Sequence, residues 1–239
     1  STNLAASWGT LAPFTATTAI REFAIAPSNS LVIYVLKSSG IYKTTNGGSS
    51  WNTVTGTVPV GSGAPEYVCV DPSDPNNAWV VLSGYSNGNK VFVTTNGGTS
   101  WVNYSGNLPN IPANCIVYEP GTNDRVYVGM DVGVYYRDNT MSNWVLYNTN
   151  LPNVPISELE ISPASPTLLH AATYGRGVWV ANLYAPGAPP VCNFSVTARA
   201  DAKSRRTCSW YFARRSSASA TPCPARCSQI GTARSQSPR

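Results

Sequence analysis

Thr44-Thr45-Asn46-Gly47-Gly48-Ser49-Ser50-Trp51 returns as Thr94-Thr95-Asn96-Gly97-Gly98-Thr99-Ser100-Trp101. Two copies of one eight-residue word are hard to obtain by chance, and self-similarity at such a period marks a repeat architecture. Weaker copies flank the pair. Ser1-Thr2-Asn3-Leu4-Ala5-Ala6-Ser7-Trp8 keeps Ser1, Asn3, Ser7 and Trp8 of the pattern. Arg137-Asp138-Asn139-Thr140-Met141-Ser142-Asn143-Trp144 keeps Asn139 and Trp144. The tryptophans are spaced 43, 50 and 43 residues apart.

That spacing is about the length of one four-stranded propeller blade. The residues of the word have the chemistry of a tight turn. Asn46 and Asn96 carry short amides that bond nearby backbone, while Gly48 and Gly98 reach positive φ without steric cost. The tryptophan that follows opens the next strand and offers a flat apolar face to a neighbouring sheet. Thr44, Ser50, Trp51, Thr94, Ser100 and Trp101 therefore read as structural residues. The word resembles the Asp-box, or bacterial neuraminidase repeat, of sortilin-like, xyloglucanase-like and sialidase-like propellers. The resemblance implies that the turn joins the third and fourth strands of a blade, away from the central channel where ligands sit.

Strand patterns repeat around each word. Glu22–Pro27, Leu31–Lys37, Gly40–Thr45 and Trp51–Thr55 make one blade. Glu66–Val70, Ala78–Leu82, Lys90–Val93 and Trp101–Tyr104 make the next, with a longer loop at residues 84–89. Cys115–Tyr118, Val126–Gly129, Val134–Tyr136 and Trp144–Tyr147 make a third. Glu158–Ile161, Leu168–Ala172 and Gly177–Ala181 begin a fourth whose last strand is missing from the pattern. Each segment alternates or runs apolar between turn signals. Pro-rich turns at residues 26–30, 71–77, 119–124 and 162–166 join the first two strands of each unit and support the repeat independently. The expected class is all-β: about four blades of a propeller, an open fragment of a larger ring, followed by a disordered tail.

Composition agrees with this class. Of 239 residues 42% are hydrophobic and 11% charged, with 19 Gly and 19 Pro, a turn-rich β composition. No run approaches the ~18 apolar residues of a membrane span. Residues 1–185 hold seven basic side chains against ten acidic ones, and the remainder nine against one, so the net charge of +5 belongs to the tail. The repeat region has no basic footprint for nucleic acid.

Thr173-Tyr174-Gly175-Arg176-Gly177-Val178-Trp179 resembles the phrase that closes the propeller in secreted bacterial proteins with these repeats. Secretion or surface display, in a bacterium, is what that resemblance implies; no signal peptide stands in this sequence. The propeller is expected over 1–184 and a Pro/Gly linker over 185–190. Residues 191–198 resemble the first strand of an immunoglobulin-like PKD module. From about 199 to 239 the apolar alternation fails, which reads as a reading-frame shift or as true disorder.

The chemistry-bearing residues are sparse. His170 falls on an apolar strand, and with no second histidine, serine-hydrolase and most zinc-hydrolase chemistries are poorly supported. Asp71 and Asp74 lack a full calcium ligand set, and Cys223 with Cys227 has zinc-like spacing without a second pair, so no metal is assigned. No cofactor is assigned either. Cys69 and Cys115 read as buried thiols, with a disulfide between them as the alternative. Glycoside hydrolysis needs two carboxylates about 5 to 9.5 Å apart. Asp131, in Gly129-Met130-Asp131-Val132-Gly133, resembles a stretch that holds a catalytic Asp in xyloglucanase-type propellers, though the phrase also makes ordinary turns. Arg21, Arg125, Arg137 and Arg176 do not assemble into the arginine triad of sialidases.

Two functional classes follow. One is a non-catalytic scaffold or binding segment of a large secreted or surface protein, with a glycan or protein ligand and the remaining blades of the parent as neighbours. The other is the C-terminal part of a propeller glycoside hydrolase.

Overall fold

A computed structural model describes residues 18–164, 166–185 and 194–198. These form sixteen strands in four antiparallel four-stranded sheets. The first holds β1 (Ile20–Ile25), β2 (Ile33–Lys37), β3 (Gly40–Thr44) and β4 (Asn52–Thr53). The second holds β5 (Ala64–Val70), β6 (Ala78–Ser83), β7 (Val91–Thr94) and β8 (Val102–Asn103). The third holds β9 (Ala113–Tyr118), β10 (Val126–Met130), β11 (Gly133–Arg137) and β12 (Val145–Leu146). The fourth holds β13 (Ile156–Ile161), β14 (Leu168–Thr173), β15 (Gly177–Asn182) and β16 (Ser195–Ala198). Strand order is sequential in every sheet, as in a propeller blade.

The blades stack face to face because each sheet is apolar on both faces. Tyr34 and Leu36 of the first blade meet Val68, Val80 and Phe92 of the second. Trp79 and Val81 of the second meet Ile116 and Val128 of the third, with Trp79 and Tyr118 at 5.3 Å between ring centroids. Tyr127 and Tyr136 of the third meet Leu169, Ala171 and Ala181 of the fourth. The first strands pack in series, β1 on β5, β5 on β9 and β9 on β13, and no contact of like extent joins β13 to β1. Among the described residues the blades make an open arc. Phe23, on the face of β1 turned away from the second blade, is 56% exposed.

The two full copies of the eight-residue word build the same turn. Thr44 Oγ1 donates to Asn46 Oδ1 (2.8 Å) and accepts from Gly48 N (3.0 Å); Asn46 Oδ1 accepts from Ser50 N (2.9 Å) and Asn46 Nδ2 donates to Ser50 Oγ (2.8 Å). Thr94, Asn96, Gly98 and Ser100 repeat these bonds at 2.9, 2.9, 2.9 and 2.8 Å. Gly48 and Gly98 lie at φ 91° and 88°. The third turn is built differently. Asp138 takes the backbone place of Asn46, Met141 N donating to its carbonyl as Ser49 N does to Asn46 O, but its Oδ1 accepts from Thr140 N and Oγ1, and Asn139 Nδ2 reaches Asp124 Oδ2.

Two sequence expectations need correcting. The fourth blade has a fourth strand. Ser195–Ala198, read as the opening of a separate module, pairs with Val178–Val180 of β15. Phe194, buried just before β16, occupies the place of Trp101 before β8 and Trp144 before β12. Its ring meets Tyr147 edge-on at 6.5 Å, and its N–H donates to Thr149 O (3.0 Å). Ser1, Asn3, Ser7, Trp8, the linker at 186–190 and the tail at 199–239 lie outside the described residues.

Candidate functional site at the axial end

All four inner strands carry a register skip at the same place, at Arg21, Glu66, Asn114 and Ser157. A bulge leaves one residue unpaired and re-aims its side chain. Four polar residues are thereby set at one level of the arc. Arg21 Nη1 meets Glu66 Oε2 at 2.8 Å across the first two blades. Asn114 Nδ2 donates to Asp131 Oδ1 at 3.0 Å, tying the third bulge to the β10–β11 turn.

The residues after the bulges are Glu22, Tyr67, Cys115 and Glu158. Tyr67 Oη donates to Glu158 Oε1 at 2.6 Å, a bond from the second blade to the fourth that passes over the third. Although Glu158 as a whole is exposed, loss of water around its carboxyl holds it above its ordinary pKa, with the Glu22 and Glu160 charges adding and the Tyr67 bond opposing. Glu22 is likewise raised, by burial and by the charge of Glu66, against a bond from Phe23 N–H. Cys115 is a buried free thiol directed at Ile156 O (3.8 Å), so no Cys69–Cys115 bridge forms.

The hairpin turns between second and third strands frame this end. Asp131 is in one of them. Tyr174, Gly175 and Arg176 make another, with Gly175 and Gly177 at φ 71° and 82°, Trp179 Nε1 donating to Arg176 O (3.0 Å), and Tyr174 76% exposed. The eight-residue turns with Trp51, Trp101 and Trp144 are at the opposite end, beside the Pro-rich β1–β2 type turns: Gly47 N donates to Leu31 O and Gly97 N to Asn76 O.

The remaining arginines are committed to structure. Arg125 is buried between Glu119 (3.2 Å) and Asp138 (3.4 Å). Arg137 lies over the Tyr104 ring at 3.8 Å and donates to Tyr104 O and Met141 O. His170 is half-buried on β14, opposite Glu160 and Val180 in register. Among the described residues no His, Cys, Asp and Glu cluster has the makings of a metal site, and no helix is long and apolar enough to cross a membrane.

Glu22, Tyr67, Asn114 and Glu158 were not singled out from the sequence. The signal existed: Glu22, Tyr67 and Glu158 each stand five residues before the proline of the next turn, Pro27, Pro72 and Pro163, as Cys115 does before Pro120, and Asn114 stands one residue earlier, in the bulge itself.

No family model matches the sequence, and no curated protein does. Solved structures do. YCF48 bound to D1 peptide is 18% identical with a TM-score of 0.53, covering 75% of this chain and 56% of that one. The GH74 xyloglucanase from Xanthomonas campestris is 14% identical with a TM-score of 0.56, covering 75% of this chain and 30% of that one. An auxiliary nutrient binding protein from Bacteroides thetaiotaomicron is 10% identical with a TM-score of 0.54, covering 69% and 38%. Identities this low establish fold and nothing finer. The chain is a partial β-propeller, spanning about half or less of each of these relatives.

Proposed function

We propose that the chain is a non-catalytic scaffold and binding segment of a large secreted or surface protein, presenting a glycan- or protein-binding face at its axial end. The carrying observation is the state of the acids there. Glu66 is paired with Arg21, Glu158 accepts from Tyr67, Asp131 accepts from Asn114, and Glu22 accepts from the Phe23 N–H. A glycosidase needs one carboxylic acid and one carboxylate facing a shared space; these acids are instead each spent on a protein partner. Bulge residues and exposed tyrosines give the same end a polar, aromatic-rimmed surface. That similar folds occur in a peptide-bound protein and a nutrient binding protein is compatible with such a face.

The test is to screen the whole chain against neutral oligosaccharides and a peptide library, measuring binding and turnover together. Binding without turnover, weakened by Arg21→Ala or Asn114→Ala, is expected. Hydrolysis that disappears in Asp131→Asn would replace this reading with the glycoside hydrolase.

A further inference from the structure

The second blade departs from the repeat at one hairpin. In the other three blades a glycine opens the third strand, Gly40, Gly133 and Gly177, after turns of two or three residues. In the second blade that position is Lys90, and the turn has grown to Gly84-Tyr85-Ser86-Asn87-Gly88-Asn89. Lys90 is 0% exposed. Its ammonium donates to Gly84 O at 2.6 Å and to Asn110 Oδ1 at 3.2 Å, two neutral acceptors. Burial of an ammonium without a carboxylate is unfavourable and lowers its pKa. An apolar side chain would serve packing better, so the lysine's contribution must be its two bonds, one across the loop neck to Gly84 and one to Asn110 in the segment before β9.

The rest of the loop is held as firmly. Asn89 N donates to Ser86 O and Asn89 Nδ2 to Ser86 Oγ (3.0 Å), while Asn103 Nδ2 from β8 donates to Gly88 O (2.7 Å). At the neck a Cβ on Gly63 would stand 2.5 Å from Ser83 O, so the backbones approach as closely as glycine permits. All this order projects one aromatic side chain outward: Tyr85, 72% exposed.

We propose that the 84–89 hairpin is a preorganised sugar-contacting element of the binding face, with Tyr85 as the stacking surface and Lys90 as the positioning residue. The proposal rests on the binding reading above. A rigid aromatic presented at low entropic cost is what a ligand platform requires. The ligand class follows from its neighbours. Ser86, Asn87 and Asn89 offer hydroxyls and amides, and the loop's own cation is buried, so the surface is neutral. Hydroxyl-to-amide hydrogen bonds around a flat ring suit an uncharged oligosaccharide, whereas a charged peptide would lack counter-charges here.

The experiment uses the full chain, titrated calorimetrically with cellohexaose, xylohexaose and mannohexaose, beside the peptide library. Wild type is expected to bind at least one oligosaccharide, Tyr85→Ala to lose about tenfold in affinity, and Tyr85→Trp to retain it. Lys90→Met should keep or raise the melting temperature, weaken the same sugar several-fold, and speed hydrogen exchange at the Asn89 amide. Oligosaccharide binding unchanged in Tyr85→Ala overturns the proposal and leaves the binding face standing. Peptide binding with no sugar bound also overturns it. A chain that binds neither sinks the broader reading as well.

Discussion

Trp101 Nε1 donates to the carbonyl of Val54 at 2.7 Å, so the tryptophan that ends the turn of one blade is bonded to the outer strand of the blade before it. Trp144 does the same to Tyr104 O at 2.9 Å. Each acceptor follows its outer strand directly, and its own N–H bonds the third strand, Val54 to Ile41 O and Tyr104 to Val91 O. The indole is thus both apolar filler and inter-blade tie. Trp101→Phe should lose roughly 1 kcal/mol, the worth of a hydrogen bond, and Trp101→Ala roughly 3–5 kcal/mol through cavity formation. Urea midpoints measure both. No loss in Trp101→Phe would mean that the tie contributes nothing beyond packing, and equal losses in the two variants would mean that the packing contributes nothing beyond the tie.

The periodic tryptophan made the first three blades readable, because word, strand and Pro-rich turn recur together. It failed at the fourth blade for a physical reason. There a phenylalanine occupies the slot, and Phe194 buries its ring against Tyr147 without an indole N–H to donate. The preceding segment, residues 183–193, carries no turn word, so the outer strand at 195–198 looked like a new module. The third turn was misaligned by one residue because Asp138 and Asn139 have interchangeable chemistry in a tight turn. At the axial end the residues were visible and in register with one another, but strand alternation does not show that a shared bulge re-aims them to one level of the arc. Lys90 needed no structure to be noticed as a break in the glycine pattern; only the structure shows that its ammonium spans the loop neck.

The turn itself offers a second test. Gly98 sits at φ 88°, and a Cβ there would stand 2.8 Å from Val54 Cβ in the preceding blade. Strain and overlap act together, so Gly98→Ala should destabilise by about 2–4 kcal/mol. Asn96→Ala removes the acceptor for Ser100 N–H and should cost about 1–2 kcal/mol. Gly121, also at positive φ but with open space around a Cβ, is the control for strain alone. Chemical denaturation in which Gly98→Ala and Gly121→Ala lose equal stability would show that contact with the preceding blade is irrelevant.

A third prediction concerns the buried cation between the third and fourth blades. Arg125 binds Glu119 and Asp138, donates to Tyr184 O (3.0 Å) and lies 4.8 Å from the Tyr184 ring. Tyr127 Oη completes the cluster, donating to Glu119 Oε2 (2.8 Å) and accepting from Tyr184 N–H (2.9 Å). Arg125→Met leaves two carboxylates without their counter-ion and should cost about 3–5 kcal/mol at neutral pH. The loss should shrink at acid pH, where the stranded carboxylates take up protons. A pH-independent loss in thermal melts would assign the arginine a packing role only.

The last prediction is the pH profile of the arc. For Glu22 and Glu158, burial and neighbouring charges raise the folded-state pKa above 4.5. Such groups contribute stability that is complete below the unfolded value and is lost as pH rises through the folded one. Asp71 and Asp138 have the opposite sign. Burial alone would raise them, but bonds from Ser73 and Asn77 to the first, and from Thr140 and Arg125 to the second, outweigh it and hold both below 3.8. Their contribution is present above the unfolded value and is lost as pH falls. The protein should therefore be most stable near the ordinary carboxylate range, with the acid limb owed to the aspartates and part of the decline above pH 4.5 owed to the axial glutamates. Glu158 keeps much of its surface in solvent, so its share is small and weakened further by salt. The variant Glu22→Gln with Glu158→Gln keeps an acceptor for Tyr67 Oη while removing both charges. Melting temperatures followed from mildly acid to neutral pH should fall less in the double variant than in the wild type, and the two should converge where the glutamates are protonated. Parallel profiles across the whole range would mean that the axial glutamates are as well solvated in the fold as in the unfolded chain.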